Sequence, residues 1–194
     1  IAFAFGIIFG LVGFGLIYFG TNIHAFFAAL TGFIFYVFLY SFSKTHTSLS
    51  VYIGSISGAT TVLIGYFAFN PSFALPIILF FFIMVIWQLP HSFAIHIFNA
   101  KDYANAGVPT IFSEGGIDFA RANILMTILL FTLLNILFGV FTSSILYLVI
   151  SILLCIAWLF LFFKKERSVQ KWAKQIFFFS IIVIITLSVA ISTI

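Results

Sequence analysis

The feature that most constrains this chain is a rhythm of apolar stretches, each closed by a short polar break. Each is about 20 residues long, the length a helix needs to cross a bilayer core of about 30 Å. The stretches are Ile1 to Phe19, Ile23 to Phe42, Leu49 to Phe69, Phe73 to Phe98, Ala122 to Phe141, Ile145 to Phe163 and Ile176 to Ile194. Composition closes off a water-soluble core. Of 194 residues 64% are hydrophobic, and the fixed charges are eight Lys and Arg with four Asp and Glu, too few to clothe a globule of this size. The sequence predicts an all-α integral membrane protein: one domain over residues 1–194, a bundle of about seven transmembrane helices.

Loops on one side of a membrane alternate along the chain, and cytoplasmic ones collect Lys and Arg. Lys44 falls in the second loop, Lys101 and Arg121 in the fourth (Asn99 to Arg121), and Lys164, Lys165, Arg167, Lys171 and Lys174 in the sixth (Lys164 to Gln175). The acids Asp102, Glu114, Asp118 and Glu166 lie on the same side. Polar chemistry is therefore expected at the cytoplasmic mouth of a multi-pass protein, with membrane lipid as solvent and no nucleic acid as partner. The run from Lys164 to Lys174, with Trp172, reads first as an anchor to anionic lipid. The single cysteine, Cys155, excludes an internal disulfide and a thiolate metal cluster. Ile1 to Phe19 has neither basic leader nor small-residue cleavage site, so it reads as a span, with the chain starting partway through a larger protein. Small residues at Gly6, Gly10 and Gly13, and at Gly54, Gly58, Thr61 and Gly65, are spaced for close helix packing.

The chemistry concentrates between Trp87 and Pro109. At 100° per residue, Gln88, His91, Ser92, Asn99 and Asp102 fall within about a third of a helix circumference, provided the helix persists that far. Ionisable groups within a bilayer are costly, so His91 is expected to face the bundle interior or a cavity. Pro90 lacks an amide hydrogen and is expected to kink the span. Asp102 stands at the end of a span beside Lys101; it reads either as an interfacial anchor or as a ligand of magnesium, which takes one or two carboxylates and leaves its other positions to waters and phosphates.

Trp87-Gln88-Leu89-Pro90-His91, then Ala94 with Ile97-Phe98, then Lys101-Asp102-Tyr103 with Ala106-Gly107 and Pro109, resembles the signature of the haem O synthases, within the intramembrane UbiA-type prenyltransferases. Tyr40-Ser41, Ser43-Lys44, His46-Thr47, Ile53-Gly54-Ser55, Gly58-Ala59, Ile64-Gly65-Tyr66, Lys165-Glu166-Arg167, Lys171-Trp172-Ala173 and Ser180 extend the resemblance over essentially the whole chain. It implies protohaem IX farnesyltransferase activity: transfer of a farnesyl group from farnesyl diphosphate to a vinyl group of haem b, giving haem O. It also implies a nine-span fold of which this chain is the third to ninth spans. Carried over, Asp102 is the candidate Mg2+ and diphosphate ligand, Lys44 a diphosphate cation and Tyr103 its catalytic neighbour, while His91, Gln88 and His46 face the haem. Implied surroundings are a bacterial plasma membrane, less so a mitochondrial inner membrane, and a handover to haem A synthase or terminal oxidase assembly.

The family's first Asp-rich motif is missing, so the fragment is expected to be inactive alone. Thr45 replaces an Arg, Thr61 and Val62 replace paired prolines, Thr110 to Ser113 replace a Met-Leu-Pro run, and His96 stands where a small residue is usual. Two alternatives stay open: a prenyltransferase for an aromatic quinone precursor, and a non-catalytic haem-binding or transport protein.

Overall fold

The computed structural model describes residues 2–192; Ile1, Thr193 and Ile194, at the ends of the first and last apolar stretches, lie outside them. The described residues hold helices and no strands. They run α1 (Ala2–Gly20), α2 (Ile23–Ile34), a π-helical turn π1 (Phe35–Tyr40), α3 (Ser41–Ser43), α4 (Ser50–Phe69), α5 (Leu75–Phe98), α6 (Ala100–Asn105), α7 (Ile111–Phe141), α8 (Ile145–Phe163) and α9 (Val169–Ile191). Seven of the helical stretches are long and apolar enough to cross a membrane, with α2, π1 and α3 forming one of them.

Side chains set the helix starts. The Asn22 carbonyl accepts from the amides of His24 and Ala25, Ser144 accepts from Tyr147, and Ser168 accepts from Lys171, each satisfying first-turn amides that have no intrahelical partner. Thr110 and Ser113 form a reciprocal capping box. That box corrects the long fourth loop expected over Asn99 to Arg121. Most of this stretch is helical, as α6 and as the first turns of α7, which changes direction at Gly116 (φ 73°), a left-handed conformation that glycine adopts without strain. The Ser168 cap likewise starts α9 seven residues before Ile176, within the expected basic loop.

Helix α5 stands at the centre, packed on α4, α7 and α9. Its Ile83, Phe93 and Ile97 meet Ile124, Ile128 and Phe131 of α7, Trp158 of α8 and Ile176, Val183 and Leu187 of α9 in one continuous core. In lipid, dispersion packing and interhelical hydrogen bonds hold such a core, since tails are as apolar as leucine. Two interior bonds are of that kind: Tyr147 donates to Asn135 at 2.5 Å between α8 and α7, and Ser57 donates to the Gly32 carbonyl at 2.8 Å between α4 and α2. Large apolar side chains such as Phe69, Phe160 and Ile145 point outward, as lipid requires and water would not allow.

The glycine stripes divide. A Cβ on Gly54 would stand 3.1 Å from the Tyr40 ring, and on Gly58 it would press on the Gln88 side chain, whereas Gly6, Gly10, Gly13 and Gly65 have no neighbour within 4 Å. The close contacts expected along α1 are therefore not made among the described residues. Helix α1 leans on α2 by edge-to-face rings, Phe14 on Phe26 and Phe33, and none of its described residues is buried.

The charged loops meet at one end, as the alternation predicts. The backbone amide and hydroxyl of Ser48 both donate to the Glu114 carboxylate, tying the loop before α4 to the start of α7. The Arg121 guanidinium lies over the Trp172 ring at 4.7 Å and Lys174 over Phe98 at 5.8 Å.

Candidate active site

Residues five apart across a π turn occupy the place of residues four apart in an α-helix, so one extra residue bulges outward and side chains re-aim. Within π1 Tyr36 and Tyr40 stack, centroids 5.5 Å apart, with the Tyr40 ring against the face of α4 opened by Gly54. Between π1, α4, α5 and α6 lies a cavity of about 350 Å³, lined by hydroxyls and amides: Tyr36, Tyr40, Ser55, Gln88, Ser92 and Tyr103 among them, with His96. Gln88 donates to the carbonyls of Ser55 (3.1 Å) and Met84 (3.0 Å), so its amide is held in the wall that Gly58 leaves open. Further along α4, an apolar cavity of about 370 Å³ is walled by His24, Phe27, Ala28, Phe35, Phe67 and Phe81.

The polar stripe read along one helix separates. The helix breaks at Asn99 (φ −104°, ψ 22°), so Asp102 rides on α6, whereas α5 continues as one helix through Pro90. His91 and Ser92 lie 100° apart, enough to address different neighbours: Ser92 lines the cavity, and His91 turns towards α9. There His91 Nδ1 is 2.7 Å from the Ser180 hydroxyl, and its ring packs between Trp87 and Phe177. Because Ser180 spends its own proton on the Phe177 carbonyl at 2.6 Å, its oxygen accepts from His91 Nδ1–H. Trp87 donates to the Ser180 carbonyl at 2.8 Å. Trp87 and His91 thus clamp α5 to α9, and of the two places expected for His91, bundle interior or cavity, the imidazole takes the interior, against α9.

Of the other residues singled out in the sequence, Gln88 and Tyr103 line the cavity. Lys44 is exposed, its Nζ 6.0 Å over the Tyr40 ring. Asp102 is exposed beside Tyr103, and the one ion pair among the described residues, Lys171 with Glu166 at 3.8 Å, does not involve it. His46 is exposed and stacks on Phe42, its Nδ1 2.8 Å from the Phe42 carbonyl. Burial, reinforced by the neighbouring Tyr40 phenol, pushes the Tyr103 hydroxyl above its ordinary value, so it remains a neutral hydrogen-bond donor at physiological pH. Among the described residues no group of three His, Cys, Asp or Glu could hold a metal.

Sequence reasoning passed over Tyr36, Ser55, Ser92's separate face and, above all, His96. The π turn has no sequence signature, but His96 lies eight residues, a little over two turns, after Gln88 and falls on the same side of α5.

Seven helices long and apolar enough to cross a membrane, with a hydroxyl-rich cavity at the charged end and an apolar cavity beside it, define a multi-pass integral membrane protein. The chain belongs to the UbiA prenyltransferase family, which it matches over residues 1–182. It is 39% identical over 98% of its length to a protoheme IX farnesyltransferase of Protochlamydia amoebophila, covering 68% of that protein, and 38% identical over 98% of its length to one of Acinetobacter baylyi, covering 67%. It is 37% identical over 97% of its length to a protoheme IX farnesyltransferase 2 of Chromobacterium violaceum, covering 64%. The chain thus spans about two thirds of the length of these relatives. No solved structure matches it.

Proposed function

We propose that this chain transfers a farnesyl group from farnesyl diphosphate to a vinyl group of haem b, forming haem O, with its charged end on the cytoplasmic side of a bacterial plasma membrane. The observation that carries this reading is the pairing of cavities: a polar one bordered by Tyr40 and Tyr103, next to Lys44 and Asp102, and an apolar one further along α4. Relatives named for this reaction support it.

In the reaction the allylic C–O bond of the donor breaks, its electron pair leaves with the diphosphate, and the cation-like carbon is captured by the vinyl group. Charge grows on the leaving oxygens, and groups placed there before the reaction stabilise it. Lys44 supplies a cation at that place and Tyr103 a protonated phenol. The apolar cavity keeps water from the allylic carbon. Gln88 and Ser92 present hydrogen-bonding groups to the acceptor, His46 stands at the outer rim, and His91 acts as a positioning residue that holds α5 on α9. A magnesium ion on the diphosphate would add charge compensation, and Asp102 is the carboxylate that would face it. One carboxylate without a neighbouring acid does not make a magnesium site by itself, so no step is derived through the metal. The product passes to haem A synthase or to terminal oxidase assembly.

Mass spectrometry of haems extracted from cells tests the reading. Asp102→Asn is expected to abolish haem O formation with protein levels unchanged; wild-type amounts of haem O would remove that carboxylate from the site.

A further inference from the structure

Gln88 presents one kind of group to the cavity and no other. Its two Nε2 hydrogens are spent, one on the Ser55 carbonyl at 3.1 Å and one on the Met84 carbonyl at 3.0 Å. Carbonyl oxygens only accept, so this pairing also fixes which end of the amide carries the nitrogen. What remains is Oε1, an acceptor, lying in the space that Gly58 leaves by having no Cβ. It accepts no hydrogen bond from the described residues. Unlike the His96 Nδ1 it is not sealed in, and it opens where Gln88 lines the cavity. One turn further on, the Ser92 hydroxyl lines the same wall and has no partner among the described residues either. Residues four apart on a helix are neighbours on its surface.

Neither substrate of the proposed reaction offers a hydrogen to such an acceptor. The pyrrole nitrogens of haem b are bound to iron, its propionates are ionised at neutral pH, and a diphosphate only accepts. Water is the molecule that satisfies Oε1, and the reaction has a use for one. Capture of the allylic carbon by the outer vinyl carbon leaves positive charge on the vinyl carbon joined to the ring, and haem O carries a hydroxyl on that carbon.

We infer that Gln88 and Ser92 hold the water that becomes this hydroxyl. The water donates one hydrogen to Gln88 Oε1 and makes a second bond to the Ser92 hydroxyl, and a lone pair of its oxygen forms the new C–O bond. The surplus proton leaves to the released diphosphate, so haem b, farnesyl diphosphate and one water become haem O and diphosphate. A single water tethered by two hydrogen bonds is compatible with an allylic carbon that the apolar cavity keeps dry. The inference rests on the proposed reaction and makes Gln88 and Ser92 positioning residues for its last step.

Mass spectrometry of haems from cells carrying variants of the full protein tests it, because the ratio of products is read independently of their amount. In Gln88→Leu, which keeps the bulk of the side chain and removes its oxygen, the second cation loses a proton instead. A farnesylated haem lighter by one water should then rise about tenfold relative to haem O. Ser92→Ala leaves the Gln88 bonds to Ser55 and Met84 untouched and should shift the ratio the same way. If Gln88→Leu yields no farnesylated haem, Ser92→Ala alone decides. A wild-type product ratio in either variant overturns the water-holding role while leaving the transfer standing. So does a complete loss of farnesylated haem in Ser92→Ala at normal protein levels, because the water acts after the carbon–carbon bond has formed. Wild-type protein that supports no farnesylated haem of either kind overturns the role together with the reaction on which it rests.

Discussion

At the scale of single residues, His91 and Ser92, neighbours in the sequence of α5, show how much a hundred degrees of helix rotation decides. Removing the imidazole in His91→Ala breaks the bond to Ser180 and leaves that hydroxyl without its donor, a loss of about 1 kcal/mol for a hydrogen bond in a packed bundle. Thermal unfolding in detergent should register it as a drop of a few degrees, while the cavity keeps its lining. Tyr103 makes the opposite kind of prediction. Its phenol is held neutral by burial, so the folded-state value lies above the ordinary 10.0. Stability from burying it is fully present below about pH 10 and is lost as pH climbs through the raised value. Activity should therefore show no alkaline loss attributable to Tyr103 between pH 7 and 9, and Tyr103→Phe should lower turnover without changing the pH profile in that range. The sequence made Gln88, Tyr103 and the charged rim legible, because intramembrane polar groups are few enough to be noticed one by one. His91 misled, since a polar residue on a spanning helix can be satisfied by a neighbouring helix as readily as by a cavity, and only the position of α9 tells which.

At the scale of elements, glycine positions that look alike in sequence have unlike surroundings. In Gly32→Ala the new methyl would run into the Thr60 side chain where α2 meets α4, overpacking worth about 1–3 kcal/mol. Gly10→Ala on α1 meets nothing and should be silent. Comparing the melting temperatures of the two variants checks both. The α2–α4 pair also walls the apolar cavity, and Ala28→Phe should fill part of it. Turnover with farnesyl diphosphate is expected to fall more than tenfold while a ten-carbon donor is less affected; equal losses would place the tail elsewhere. Seven spans and their order were legible from hydropathy alone, since each break is polar and each span is close to one membrane thickness. The helical character of the stretch from Asn99 to Arg121 was not, even though Thr110 and Ser113 are capping residues: a cap has meaning only beside the helix it closes, and the polar Ser113 to Asp118 run masks the first turns of α7. The π turn leaves no trace in composition at all.

At the scale of the whole molecule, charge and apolar surface divide the protein into an end and a belt. Five of the eight cations lie between Lys164 and Lys174, and anionic lipid attracts each basic residue near its surface by about 1 kcal/mol. Replacing Lys164, Lys165, Lys171 and Lys174 together by Gln should abolish the stabilisation that the protein gains in phosphatidylglycerol nanodiscs over zwitterionic ones, read as the difference in melting temperature. The contrast between the sewn helices and α1 has a mechanical meaning. Helices α4, α5, α7, α8 and α9 share one core, and α2 is stitched to α4 by Ser57 and Asn22, while α1 merely leans on α2. Drawn out of a bilayer by its N-terminal end on a force probe, the chain should yield in unequal steps, α1 slipping free at low load and the remaining helices resisting together.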